Sequence, residues 1–186
     1  MAFPLKDIHI KHTARLFWIA ASAWFVLDQA VKIVERLTMQ PGQSIALIPQ
    51  VFHLTYIRNN GAAFSSFSGQ TWLFFTAALV AIAAIFMFWR FEKPTTLLPA
   101  LGSSLLISGA MGNVVDRIIY GHVTDIFDAR FLNFAIFNVA DIGITVGAIM
   151  LVVWLIFFGG ILGEENSPEL EKSSSKKAKK NSKDAA

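Results

Sequence analysis

The chain has 186 residues, 54% of them hydrophobic and only 16% charged, and it holds 17 Phe and five Trp. A soluble domain carries about 25% charged residues, so this composition, with its positive mean hydropathy, argues for lipid as the solvent. The absence of Cys removes disulfides, thiolate catalysis and cysteine-held metals together, and the formal charge of +3 reflects six lysines between Lys172 and Lys183, a terminal run that argues against a nucleic-acid surface.

Residues 1–15, with Lys6, Lys11 and Arg15, are expected to form a cytoplasmic N-terminus. The apolar run FWIAASAWFVL continues past Asp28 through AVKIV without a small-residue cleavage site. It reads as a membrane helix over about 16–36 and not as a removed signal peptide. Asp28 and Lys32 are four residues apart and share a helix face. Two readings stand for them: an interfacial ion pair with Lys32 reaching for the headgroups, and a polar brace turned into the bundle.

Between residues 38 and 69 the helical pattern stops. MQPGQSIALIPQ carries two prolines and a glycine, which break helices, VFHLTYI reads as a short strand, and RNNGAAFSSFSG as a turn rich in small residues. Irregular backbone cannot face hydrocarbon, so this segment is expected outside the membrane or held against the bundle. Read locally, Asn59-Asn60-Gly61 is compatible with a simple turn. Residues 71–89 carry no charge and have spanning length, with Trp72 and Trp89 near the ends as an aromatic belt requires. A short turn at 90–94 leads to a third span over 95–115, where Ser104, Ser108 and Gly112, at four-residue spacing beside Gly109, permit close helix packing. A fourth span runs over 142–162 with Gly143 and Gly147, and residues 163–186 form a polar, lysine-rich tail expected to be disordered. Eleven Lys and Arg fall on the side of the termini and the 90–94 turn, against five on the other. The positive-inside rule makes the first side cytoplasmic.

The stretch from Gly112 to Asp141 holds four Asp, two Arg, three Asn and a His between two apolar segments, with residues 116–137 expected as an extracytoplasmic loop. Asn113 and Arg117 share a face at the outward end of the third span; Asn138 and Asp141 are three apart where the fourth begins. Asp141 has two readings, a helix cap and a chemical group. Asp125, in a turn followed by an extended piece, has no capping use. Carboxylates at a membrane are costly and mark function by default. Two that are brought together share a proton, so that one activates water while the other donates to a carbonyl oxygen. His122, Asp125 and Asp128 recur every three residues and, with His53, form the weighed metal alternative, but Gly121, Val123 and Thr124 disfavour the helical turn it needs. No metal and no cofactor are expected, and neither HExxH nor a phosphate loop is present. A non-enzymatic transport or ion-conducting subunit is the rival class. Its relay groups would sit near midmembrane, whereas these cluster toward one face.

LDQAVK (27–32), RNNGAAFS (58–65), GAMGNVVDR (109–117), VTDIFD (123–128) and FNVAD (137–141) occur here in order, and in this the sequence resembles the lipoprotein signal peptidases (type II) of bacterial cytoplasmic membranes over about residues 16–162. The resemblance implies an α-helical integral membrane protein of four transmembrane helices with a small extracytoplasmic β-sheet element and a membrane-associated element, which would house residues 38–69. It implies a metal-free aspartic endopeptidase with Asp125 and Asp141 as its catalytic dyad. Asp28, Lys32, Asn59, Gly61, Asn113, Arg117 and Asn138 would bind substrate or support the dyad. The implied substrate is a prolipoprotein carrying diacylglycerol on its cysteine, cut just before that cysteine, with the site at the outer face of the inner membrane and both termini cytoplasmic. The enzyme is expected to act as a monomer on membrane substrates, without nucleic acid, and the basic tail to be drawn to anionic lipid. Two departures, Val123-Thr124-Asp125-Ile126 where many members have V-V-D-F and Ala135 where a proline is frequent, touch neither carboxylate.

Overall fold

The computed structural model describes residues 5–61, 71–92, 96–132 and 134–158. Among the described residues, four helices and a small sheet make up the architecture. Helix α1 spans Leu5–Thr38, and because this stretch contains neither Gly nor Pro it runs unbroken for about 50 Å until Pro41-Gly42 stops it. Strands β1 (Ser44–Ile48) and β2 (Phe52–Asn59) follow as a hairpin. Helix α2 spans Thr71–Phe91 and α3 spans Leu97–Tyr120. Strand β3 (Val123–Asp128), a 3-10 turn (Arg130–Leu132) and helix α4 (Val139–Phe158) complete the order. Three helices, His12–Thr38 within α1, α3 and α4, are long and apolar enough to cross a membrane, and Phe75–Phe91 is a shorter apolar helix. The chain divides into two compact units, Met1–Met150 and Leu151–Ala186. In the second, the described part is the helical end of α4, where Leu155–Phe158 are exposed apolar residues.

The elements start and stop where local chemistry dictates. Pro99 lies in the first turn of α3, where a missing N–H and a fixed φ do no harm. Gly121 ends that helix in the left-handed region, φ 75°, with its N–H donating to Arg117 O at 3.1 Å. Because no breaker precedes Gly121, the helix runs on past residue 115 to Tyr120, so the first residues of the expected 116–137 loop are helical. Strand β1 lies in a stretch whose local pattern read as helix-breaking; Pro41 and Pro49 bracket it, and five of the seven residues between them, Ser44–Ile48, form the strand. Residues 62–69 of the expected 38–69 element, residues 159–162 of the expected fourth span and the 163–186 tail fall outside the described residues.

The sheet order is β1-β2-β3, all antiparallel. The Ile57–Asp125 and Asn59–Val123 pairs put Asn59, Val123 and Asp125 on one face, since side chains alternate along strands. Tyr56 and Ile126 point the other way and pack with Met39, just past the end of α1. The sheet is thereby seated on the same end of the bundle where α3 ends and α4 begins.

Small residues let the helices approach closely. A Cβ at Gly109 would strike the Ala140 carbonyl oxygen, one at Gly112 the Asp28 carboxylate, and one at Gly143 the Trp24 indole nitrogen. A Cβ at Gly147 would lie 2.5 Å from Gly102 O. Trp24 Nε1 donates to Val139 O at 3.2 Å, a further tie between α1 and α4. The Ser104 and Ser108 hydroxyls donate to carbonyls of their own helix, Leu101 O and Leu105 O, so their small size and not their polarity serves the packing.

Candidate active site

The start of α4 builds half of the site. Asn138 Oδ1 accepts the Asp141 N–H at 3.0 Å, and Asp141 Oδ2 accepts the Asn138 N–H at 3.1 Å. This is a reciprocal capping box, with Asn and Asp in place of the usual Ser/Thr and Glu. The two readings of Asp141 therefore do not compete: the hydrogen bond that caps the helix also fixes the carboxylate. Its other oxygen, Oδ1, accepts Asn113 Nδ2 at 2.8 Å.

Strand β3 builds the other half. Asp125 is buried, with Oδ2 accepting Asn59 Nδ2 at 2.8 Å and Oδ1 accepting Asn138 Nδ2 at 2.6 Å. Asn59 lies diagonally across the β2–β3 ladder on the same face, and its own amide is oriented by Oδ1 accepting the Gly61 N–H at 2.9 Å. One residue, Asn138, thus touches both aspartates, through its side chain and its backbone. Burial and the neighbouring Asp141 charge push the Asp125 carboxyl up to about 7, against the pull of the Asn59 and Asn138 hydrogen bonds.

Beneath these groups lies an ionic layer. Lys32 Nζ sits 3.0 Å from Asp28 Oδ2 and 3.3 Å from Asp116 Oδ2, all three side chains being fully or almost fully buried. Arg36 Nη1 donates to Asp116 Oδ1 at 3.2 Å. Two cations against Asp28 and Asp116 make a neutral set, which is the condition for burying charge. The Asp28–Lys32 pair is therefore an interior brace, and the interfacial reading is set aside. Each member steers a group of the site. Asp28 Oδ1 accepts the Ala140 N–H at 2.8 Å, in the first turn of α4. Lys32, which has only donors, donates to Asn113 Oδ1 at 3.0 Å. The Asn113 oxygen also accepts Asn138 Nδ2 at 3.2 Å, so its NH2 group is left to face Asp141. Asp116 Oδ2 accepts the Thr124 N–H at 3.0 Å while Arg36 Nη1 donates to Thr124 Oγ1 at 2.9 Å, which anchors β3 one residue before Asp125. Arg36 also lies 4.2 Å over the Tyr120 ring.

The nine residues named from the sequence converge here: Asp125, Asp141, Asn59, Asn113 and Asn138 in direct hydrogen-bond contact, and Asp28 and Lys32 one step behind. Arg117 reaches Gly61 O and Asn113 O at 3.4 and 3.3 Å. Sequence reasoning missed the anchoring roles of Asp116, Arg36 and Thr124. The signal was available in part, since Arg36 follows Lys32 by four residues on α1, but pairing it with Asp116 needs the α1–α3 contact. Among the described residues no three His, Asp or Glu side chains converge as metal ligands. His122 lies against Tyr120 and His53 against Ser44. Glu35 is buried, and both of its carboxylate oxygens are without a hydrogen-bond partner among the described residues.

Asn59, Asn113, Arg117, Asp125 and Asp141 border a cavity of about 670 Å³. It follows one stripe of α3, Leu106, Ala110, Asn113 and Arg117, over roughly 16 Å, and is otherwise walled mainly by apolar side chains of α2, α3, α4 and the 132–137 segment. Two acidic groups at the edge of an apolar channel can act on an amide bond of a ligand whose remaining bulk is hydrophobic.

A family model described as signal peptidase (SPase) II matches residues 20–157. A lipoprotein signal peptidase of Nostoc punctiforme is 43% identical over 143 residues, covering 75% of this chain and 88% of the relative. One from Geobacillus kaustophilus is 40% identical over 144 residues, covering 76% and 93%. Two solved bacterial membrane enzymes superpose with TM-scores of 0.71 and 0.70 at 33% and 32% identity. They cover 76% and 77% of this chain, and 87% and 94% of their own. On the match across residues 20–157 and these relatives, the chain belongs to the signal peptidase II family of membrane proteases.

Proposed function

We propose that this protein is an aspartic endopeptidase that removes signal peptides from diacylglyceryl-modified prolipoproteins, with Asp125 and Asp141 as the dyad. The observation that carries the proposal is the pair of carboxylates joined through Asn138 at the edge of a mainly apolar cavity. Neighbouring carboxylates do not both ionise readily, so the resting pair holds one proton. The unprotonated carboxylate takes a proton from water as the water oxygen attacks the carbonyl carbon of the residue before the lipidated cysteine. The protonated one donates to the carbonyl oxygen, which becomes the hydroxyl of a tetrahedral intermediate. Collapse of the intermediate breaks the C–N bond, a proton passes to the leaving amine, and the products are a signal-peptide carboxylate and a lipid-anchored N-terminal cysteine. No metal enters these steps.

Asn59, Asn113 and Asn138 hold the two carboxylates in register, Arg117 and Gly61 border the space for substrate backbone, and the channel along α3 accepts signal-peptide side chains and acyl chains. The site opens at the outer face of the bacterial inner membrane, both termini are cytoplasmic, a single chain carries the whole site, and the lysine-rich tail meets anionic lipid. In vesicles, Asp125→Asn and Asp141→Asn are each expected to lower cleavage of a lipidated precursor by roughly 10²–10⁴-fold while the protein remains folded. Mass spectrometry of the product locates the cut. Undiminished cleavage by either variant disproves the dyad. A cysteine placed at Gly121 should react with an impermeant reagent in intact cells; reaction only after permeabilisation reverses the orientation.

A further inference from the structure

We propose that Thr145 is a substrate-binding residue whose hydroxyl donates to a carbonyl oxygen of the substrate, one helical turn deeper in the channel than the carboxylate pair. Asn59, Asn113, Arg117, Asp125 and Asp141 gather at one end of the channel. Beyond them, Thr145 is the only polar side chain among the described residues that line it. It follows Asp141 by four residues, so the two share a face of α4 and lie about 6 Å apart along the axis. The direction is inward, away from the end of the bundle that carries the sheet. A Cβ at Gly109 would meet Ile144, and one at Gly147 would meet Leu106. Thr145 is therefore level with the part of α3 between Leu106 and Gly109, where Leu106, Ala110, Ile142 and Val146 make the surrounding wall apolar.

The state of this hydroxyl points to a ligand. A threonine or serine inside a helix commonly hides its hydroxyl by donating to a carbonyl of the preceding turn. Thr38 does so to Val34 O at 2.8 Å, and Ser104 and Ser108 do so to Leu101 O and Leu105 O. Thr145 is exposed to the channel, and its hydroxyl makes neither that bond nor any other among the described residues. A hydroxyl in apolar surroundings gains by finding an acceptor. The side chains level with Thr145 offer none, so the acceptor arrives with the substrate. On the proposed peptidase reading, on which this inference rests, two parts of the substrate bring a carbonyl to that depth when the scissile amide lies at the carboxylates. One is an ester of the diacylglyceryl group on the cysteine. The other is the signal-peptide backbone two residues before the cut, where an extended chain has advanced about 7 Å. Both are acceptors that find no donor in lipid.

Thr145→Val keeps the branched shape and removes the hydroxyl alone. With a diacylglyceryl-modified precursor in phosphatidylcholine/phosphatidylglycerol vesicles, it is expected to raise KM about fivefold, the worth of one neutral hydrogen bond, with kcat unchanged. Thr145→Ser keeps a hydroxyl and is expected to stay close to wild type. A wild-type KM in the Val variant, or a Ser variant as impaired as the Val variant, overturns the assignment. A lowered kcat and a displaced pH profile at unmoved KM would mean that the hydroxyl serves Asp141, and overturns it as well. A precursor with ether-linked chains in place of the esters tells the two carbonyls apart. If the Val variant matches wild type on that precursor, the partner is the ester; if the fivefold rise persists, the partner is the peptide backbone. If the wild-type protein leaves the ester precursor uncut, the peptidase reading falls and the subsite with it. If wild type cuts it and the Val variant matches wild type, only the Thr145 assignment falls.

Discussion

Asn138 joins helix capping to the arrangement of the carboxylates, and two substitutions separate these roles. Asn138→Ala removes the cap of the Asp141 N–H, a loss of about 1 kcal/mol, and the hydrogen bonds from Nδ2 to Asp125 and Asn113. A buried hydrogen bond to a charged group is worth about 1.5–3 kcal/mol. The Asn113 oxygen keeps Lys32 as a donor, so the third bond adds little. The total is about 3 kcal/mol, reduced by whatever relaxation the network allows. Asn138→Ser restores a good capping oxygen but is too short to reach Asp125, so it should recover about 1 kcal/mol of stability over the Ala variant and none of the activity. Misplacing Asp125 in this way should lower kcat about 10²-fold in both variants. Denaturant titration in micelles and cleavage of a lipidated precursor in vesicles read the two effects separately. Equal stability of Ala and Ser variants would refute the capping role, and wild-type cleavage by the Ser variant would refute the role of the Asp125 contact.

The remaining predictions concern titration and packing. Asp125 sits at about 7 in the folded protein, above the roughly 3.9 of an unfolded aspartate. The folded state therefore binds a proton that the unfolded chain releases, and this group's contribution to stability is present below about pH 4 and is lost as pH rises toward 7. Activity that needs the pair's single proton should likewise decline above about pH 7. Asn59→Ala, which removes a hydrogen bond favouring the carboxylate form, should move that alkaline limb upward; a kcat/KM profile with an unmoved limb contradicts the assignment. Gly109→Ala forces a Cβ against the Ala140 carbonyl and Ile144 and should cost about 1–3 kcal/mol. Unchanged stability in micelles would show that α3 and α4 have room to separate.

Much of the site was legible because its chemistry is conspicuous in an apolar chain. Asp28 and Lys32 at i and i+4, Asn113 and Arg117 at i and i+4, and Asn138 and Asp141 at i and i+3 each define a shared face from spacing alone, and the structure keeps those local relations. Strand β2 was readable from its β-branched and aromatic residues. Strand β1 was not, because flanking prolines signal a break without saying what lies between them. The third span was expected to end near 115, whereas α3 continues to Tyr120, with Asp116 paired inside the bundle to Lys32 and Arg36 of α1.

By itself the sequence determined the solvent, the helical character of the long apolar segments, and the residues with no business in lipid unless they act together. These follow from composition and periodicity, which are local properties of a chain in a given solvent. Only the tertiary structure decided which partner each polar group takes: Lys32 with Asn113, Asp116 with Arg36 and Thr124, and Asn138 with both Asp125 and Asp141. Those choices depend on how α1, α3, α4 and β3 meet at one end of the bundle. That meeting is set by glycines whose missing side chains let backbones touch, and by the pairing of Lys32 and Arg36 with Asp28 and Asp116 inside the bundle.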